Sequence, residues 1–172
     1  MDGRFFFARY RPSLAGHLTT VGDWQERLEA LARFAERPEV EVVVCHRPSG
    51  LPIGAMCLAG IDRVNGKAEF SVGFLRGRGT RAIFEAIHFA MRYSFETLGL
   101  RKLVLHALAD NRQALMLLER SGARLEGILH AELVLPAGGH ADVRRYALLR
   151  DDDWFRLKIV LTRLAPLASS TE

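Results

Sequence analysis

The sequence predicts an α+β domain of layered α/β character built on a mixed sheet, and three observations predict it. Three β-type runs follow one another between residues 40 and 75 with turn signals between them, which makes an antiparallel meander. A helical period over about 82–98 separates the third run from a fourth, Lys102 to Ala109, and a helical crossover requires its two strands to be parallel neighbours. Two further runs, Arg124 to Leu135 and Ala141 to Leu149, flank Pro136-Ala137-Gly138-Gly139-His140 and read as a closing hairpin.

Taken in order, residues 1 to 22 give mixed signals. Phe5, Phe6 and Phe7 suit a strand, while Pro12, Gly16 and Gly22 suit loops. Asp23 with Glu26 forms a capping-box-like start, and Trp24, Leu28, Leu31 and Ala35 recur at helical spacing until Pro38. Val40 to His46 and Pro52 to Ile61 surround Arg47-Pro48-Ser49-Gly50-Leu51, a hairpin, and Arg63-Val64-Asn65-Gly66 turns the chain into Lys67 to Leu75. The following helix points Phe84, Ile87, Met91, Phe95 and Leu98 to one side, with Gly99 placed to end it. Asp110-Asn111 caps a helix carrying Ala114, Leu115, Leu117 and Leu118 that stops at Gly122. A short helix, WFRLKIVLTRL, precedes the SSTE tail.

The 172 residues fit one domain over 1–172, and 49% hydrophobic content without an apolar run near twenty residues indicates a globular chain with no membrane partner. No secretion-type h-region stands near Met1, so a cytoplasmic address is expected. Cys45 and Cys57 lie in apolar runs and are expected as buried free thiols. The six histidines are scattered singly, and no metal is expected. Arginine outnumbers lysine 21 to 3 in a chain of formal charge +4, which suits bidentate contact with phosphate or carboxylate. Three arginines, Arg76, Arg78 and Arg81, fall in the glycine-bearing turn that opens the long helix, where unpaired N–H groups and the positive dipole end favour an anion.

From Pro52 to Trp154 the chain resembles the GNAT N-acetyltransferase superfamily, in its ribosomal-protein and amino-sugar branch. The resemblance is carried by PIGAMCLAGID, KAEFSVGF, ETLGLRKLVLHALADNRQALMLLERSGARLEG and GGHADVRRYALLRDDDW. Residues 1–35 match poorly, and 155–172 form an extension. The resemblance implies helices on both faces of the sheet and a central parallel pair splayed at the donor site. It implies acetyl-CoA as co-substrate, with the backbone of Val72, Gly73 and Phe74 holding the pantetheine arm and the thioester oxygen. Asn111 would reach the arm from the far side, and Arg76, Gly77, Arg78, Gly79, Thr80 and Arg81 would meet the phosphates. The family's phosphate loop reads Arg/Gln-x-x-Gly-x-Gly. Alignment by helix length places Arg78 to Ile83 there without either glycine, and a shift of two residues recovers Gly79 but leaves Arg81 in the last place. Leu118 stands where many relatives carry a tyrosine acid, and leucine donates no proton.

Acetyl transfer to an amine needs a base for the ammonium and a donor for the oxyanion. The resemblance makes Glu69, at a position where this branch often has a glutamate, the expected base acting through a water, the alternative being a solvated carboxylate or an arginine's partner; His106, on a strand face with Val104 and Leu108, is an auxiliary base or a core histidine. Residues 1 to 35 and the closing hairpin, with His130, Glu132, His140 and Asp142, are expected to shape the acceptor pocket. The first functional expectation is therefore acyl transfer from acyl-CoA to a primary amine of a small molecule or a protein N-terminus. A second takes the acyl group from an aminoacyl-tRNA, using the arginine-rich turn and basic charge. A third is a catalytically silent binding module. A homodimer is compatible with all three.

Overall fold

The computed structural model describes residues 39–74, 80–135 and 138–164. The expected strand at Phe5 to Phe7, the helix from Asp23 and the stretch from Leu75 to Gly79 lie outside them.

The described strands are β1 (Val40–Cys45), β2 (Pro52–Asp62), β3 (Lys67–Phe74), β4 (Lys102–Leu108), β5 (Arg124–Val134) and β6 (His140–Leu149). They form one mixed sheet in the order β1-β2-β3-β4-β6-β5. The meander and the closing hairpin are antiparallel, while β3 and β4 are parallel, as the crossover demands. That crossover is α1 (Thr80–Arg92), which continues through a π-helical turn, Tyr93–Thr97, to Gly99 at φ 66°. Only a residue without Cβ takes this left-handed ending cheaply. Ser94 Oγ donates to Ala90 O at 2.8 Å where the helix widens, a side-chain bond that competes with the regular ladder. The second helix, α2 (Arg112–Arg120), leaves β4, and α3 (Phe155–Leu164) follows β6 through a second π turn, Arg150–Trp154.

Alternation along the strands sends Met56, Leu58, Ala68, Phe70, Leu103, Leu105, Ala107, Tyr146 and Leu148 into one core. Met91 and Phe95 of the long helix, Leu115 of α2 and Trp154, Leu157 and Leu161 at α3 close over it. The described helices thus all pack into the same face of the sheet. Phe84, Ile87 and Leu98, expected beside Met91 and Phe95, are partly buried at the margin of that core. Trp154 ties the helices together: its ring lies 5.6 Å from Phe95 and 6.1 Å from His88, and its Nε1 donates to Glu96 at 3.2 Å. The Lys158 ammonium donates to the same Glu96 carboxylate at 2.6 Å and holds it below the usual carboxylate range.

One expectation about cysteine is corrected. Cys57 is buried in β2, but Cys45 is exposed. It ends β1, an edge strand of the described sheet, where the pairing slips between Val44 and Cys45. An apolar run at a sheet edge has a partner on one side only, so hydrophobicity there does not guarantee burial.

Candidate active site

The parallel pair is short. Lys67 pairs with Lys102, Ala68 with Leu103 and Glu69 with Val104, and there the register stops although both strands continue. Beyond Glu69, β3 stays with β2, placing Val72 against Met56, Gly73 against Ala55 and Phe74 against Gly54. Beyond Val104, β4 stays with β6, through His106 against Arg145 and Leu108 against Val143. The two strands therefore part into a wedge, each presenting toward the other a backbone edge with no partner in the opposite strand. Backbone donors and acceptors of that kind seek an extended guest, because leaving them unpaired and dry is costly.

The closed end of the wedge is fastened by the β2–β3 turn. Asp62 accepts from Asn65 N at 2.8 Å and Asn65 Nδ2 at 2.7 Å, shaping a turn that ends in Gly66 at φ 59°. Gly66 O then accepts from Arg101 N at 2.7 Å and Lys102 N at 3.1 Å, and Arg101 Nε donates to Asn65 O at 2.7 Å. At the open end stands α2. Asn111 caps it as expected, accepting from Ala114 N at 3.3 Å, and Ala109 N donates to Asp142 O at 2.9 Å, which joins the end of β4 to the hairpin.

Glu69 and His106 come together at the parting of the strands. His106 Nδ1 lies 3.4 Å from Glu69 Oε1, with the imidazole 23% and the carboxylate 40% exposed. Register and alternation put both on the sheet face opposite the apolar core, together with Lys102 and Arg145. Lys102 Nζ and Arg145 Nε both donate to Glu126 of β5, the latter at 3.3 Å, and the lysine bond holds Glu126 below its ordinary range.

Arg76, Gly77, Arg78 and Gly79 lie outside the described residues. Thr80 opens α1 two residues ahead of the expected start, so Arg81, Ala82 and Ile83, which alignment by helix length assigned to the phosphate loop, lie in the helix. Arg81 Nε donates to Glu85 at 2.9 Å, an exposed pair one turn apart. On the hairpin, Asp142 gathers His130 Nδ1 at 3.0 Å and Ala131 N at 2.8 Å, and the backbone bond above all holds its carboxyl below the usual range. Glu132 and His140 are exposed and stand apart from that pair. Leu118 packs against the core. Among the described residues, no three His, Cys, Asp or Glu side chains cluster to hold a metal, and no helix is long and apolar enough to cross a membrane.

Two features of the site escape a reading by motif. The Lys102–Glu126–Arg145 ladder joins residues far apart in sequence and becomes visible only once β4, β6 and β5 lie side by side. Gly54 had a signal, since a glycine inside a strand marks close backbone approach. A Cβ there would lie 2.5 Å from Gly73 O and closer still to the Phe74 ring.

Comparison with known proteins agrees with this geometry. The model of the acetyltransferase (GNAT) domain matches residues 5–124, more than half of the chain. Spermidine/spermine N-acetyltransferase SpeG from Vibrio cholerae is similar at 26% identity over 81% of this chain and 80% of its own, with a TM-score of 0.70. A structure from T. thermophilus named as an acetyltransferase covers 85% of this chain and 76% of its own at 24% identity and a TM-score of 0.68, which bears on the fold alone. No curated protein matches. With its wedge, crossover and closing hairpin in place, the chain belongs to the GNAT acetyltransferase family and is an N-acetyltransferase.

Proposed function

We propose that the protein transfers an acetyl or other acyl group from acyl-CoA to a primary amine of a small molecule or a protein N-terminus. The observation that carries this reading is the wedge, where paired parallel strands separate beside a carboxylate and an imidazole. The pantetheine arm lies between the two backbone edges, on Val72, Gly73 and Phe74 of β3, with Asn111 at the head of α2 beyond it. Main-chain groups of β3 receive the thioester oxygen as it gains charge. Glu69 takes a proton from the ammonium through a water. The freed nitrogen lone pair attacks the thioester carbon, the C–S bond breaks, the thiolate leaves with the electron pair, and the second amine proton, lost from the new amide nitrogen, ends on that thiolate. Arg76 and Arg78, with the glycines beside them and the N-terminus of α1, meet the phosphates.

The acceptor reading is coarser. SpeG acts on spermidine and spermine, so polyamines head the panel of amines to test here. The aminoacyl-tRNA alternative draws on the chain's basic charge. It is the weaker reading, because the parted edges of β3 and β4 suit a slender pantetheine arm. Calorimetric titration with acetyl-CoA and with charged tRNA at two salt concentrations separates them. Acetyl-CoA binding that free CoA displaces, with CoA release when an amine is added, is the expected outcome. Tight tRNA binding that falls steeply with salt, without acetyl-CoA binding, reverses the assignment.

A further inference from the structure

We propose that His106 is the proton carrier of the transfer step: its Nε2 takes the surplus proton from the newly bonded amide nitrogen and hands it to the departing sulfur, with hydrogen held on Nδ1. The proposal rests on the reading in which the thioester lies along the main chain of Val72, Gly73 and Phe74.

Three observations lead to it. Nδ1 lies 3.4 Å from Glu69 Oε1, so a hydrogen there meets a carboxylate and the free lone pair falls on Nε2. Nε2 is buried and meets no hydrogen-bond partner among the described residues. A buried acceptor of that kind is costly until something brings it a hydrogen, and a catalytic task is a reason for a fold to keep one. The ring also stands beside the reacting stretch. The register that joins Glu69 to Val104 would, if continued, set Ser71 opposite His106 and Val72 opposite Ala107. His106 therefore flanks the opened part of the wedge, next to the β3 main chain that receives the thioester.

The chemistry calls for such a group. Once the C–N bond has formed, the nitrogen holds one proton too many and the leaving sulfur needs one. Both atoms sit on one carbon, so a direct hop closes a strained four-membered ring, whereas an imidazole accepts and donates near neutral pH. Nε2 takes the proton, the carbonyl re-forms, and the C–S bond breaks with its electron pair going to sulfur. The imidazolium then gives its proton to that sulfur, which leaves an amide, a free thiol and a neutral ring. The proton that Glu69 drew from the ammonium departs to water on the exposed side of the carboxylate, so the imidazolium faces a charged partner. The cations near it are engaged elsewhere: Lys67 on β3 lies 4.0 Å from Asp62, and Lys102 on β4 and Arg145, directly across on β6, share Glu126.

The test has two arms. Nitrogen-15 shifts of the neutral His106 ring, read on the full chain without an amine, report its tautomer. Hydrogen on Nδ1 and a bare Nε2 are expected, and hydrogen on Nε2 overturns the proposal. In the second arm, release of CoA from acetyl-CoA is followed with spermidine and with a short peptide bearing a free N-terminus. His106→Asn keeps an amide donor near the Nδ1 position and has nothing in place of Nε2. It is expected to lower kcat roughly 100-fold or more with unchanged affinity for acetyl-CoA, and added imidazole is expected to restore part of the rate lost in His106→Ala. An asparagine variant that turns over like the wild type overturns the proposal, and so does an alanine variant as slow with imidazole as without it. If acetyl-CoA binds but neither amine is acetylated, the acceptor reading fails, and the wild-type tautomer still decides this one.

Discussion

The two faces of the sheet differ in the charges they carry. Beneath the helices, Leu103, Leu105, Tyr146 and Leu148 are almost wholly buried and meet hydrocarbon. On the reverse, the same strands carry Glu69, Lys102, His106 and Arg145, bound into pairs that cross from strand to strand. Neighbouring positions in one strand therefore serve different ends, Leu103 and Leu105 securing the fold while Lys102 and His106 arrange charge. Alternation in a strand is usually taken as buried against solvated. Here the reverse face holds both, since Val104 and Ala147 among those charges are buried too, and each face can be perturbed on its own.

The largest effect should come from the helix face. Leu103→Ala removes a side chain with no exposed surface, and a loss of about 2–5 kcal/mol in stability is expected, read as a lower denaturant midpoint. Turnover per folded molecule should hold, because Leu103 points away from Glu69. Glu69→Gln is the mirror experiment. It should lower kcat around 100-fold at neutral pH, with little change in melting temperature or acetyl-CoA affinity. A variant that instead melts early would make Glu69 a structural carboxylate and erase the contrast between faces.

Gly54→Ala sharpens the comparison at the wedge. The added Cβ must displace both the backbone at Gly73 and the Phe74 ring. Weaker acetyl-CoA binding, by roughly tenfold or 1.4 kcal/mol, is expected in calorimetry. An unchanged dissociation constant would separate the Gly73–Phe74 edge from the donor. The smallest effect belongs to Glu126→Gln, which dissolves the ladder between Lys102 and Arg145. Partly exposed pairs of this kind contribute up to about 1 kcal/mol. Glu126 is held below its ordinary value of 4.5, first by the Lys102 bond, so its stabilisation is present above that value and disappears as pH falls through the lowered one. The difference in melting temperature between wild type and variant should accordingly be seen at neutral pH and close below about pH 4.5.

Much of the fold was legible because its signals are local. The turns at Asn65-Gly66 and Gly138-Gly139, the cap at Asn111 and the stop at Gly99 fall where turn chemistry and periodicity place them. The parallel direction of β3 and β4 followed from the crossover alone. Helix ends were less legible, since α1 starts at Thr80 and passes into a π turn at Tyr93, a departure that periodicity does not encode. Of the candidate site, Glu69 and His106 could each be singled out from the sequence, but not their contact, which depends on a register between strands more than thirty residues apart. The exposure of Cys45 was missed for a related reason: a strand's own residues do not say whether it lies at an edge.

Three pairs of residues join β3 to β4, and this modest seam has a mechanical consequence. The described part of the sheet is two three-stranded plates, β1 to β3 and β4 with β6 and β5, pinned at one corner by the carbonyl of Gly66. Prying the plates apart needs little more than slipping that pin and opening the shared core. A slender molecule lodged between them bears on both, far from the pivot, where leverage against opening is greatest. Occupancy should then act as a brace: at a hundred times its dissociation constant a ligand adds about 2.7 kcal/mol of resistance to unfolding. Hydrogen exchange at Phe70, Ser71 and Leu105, just past the seam, is where that bracing should register first.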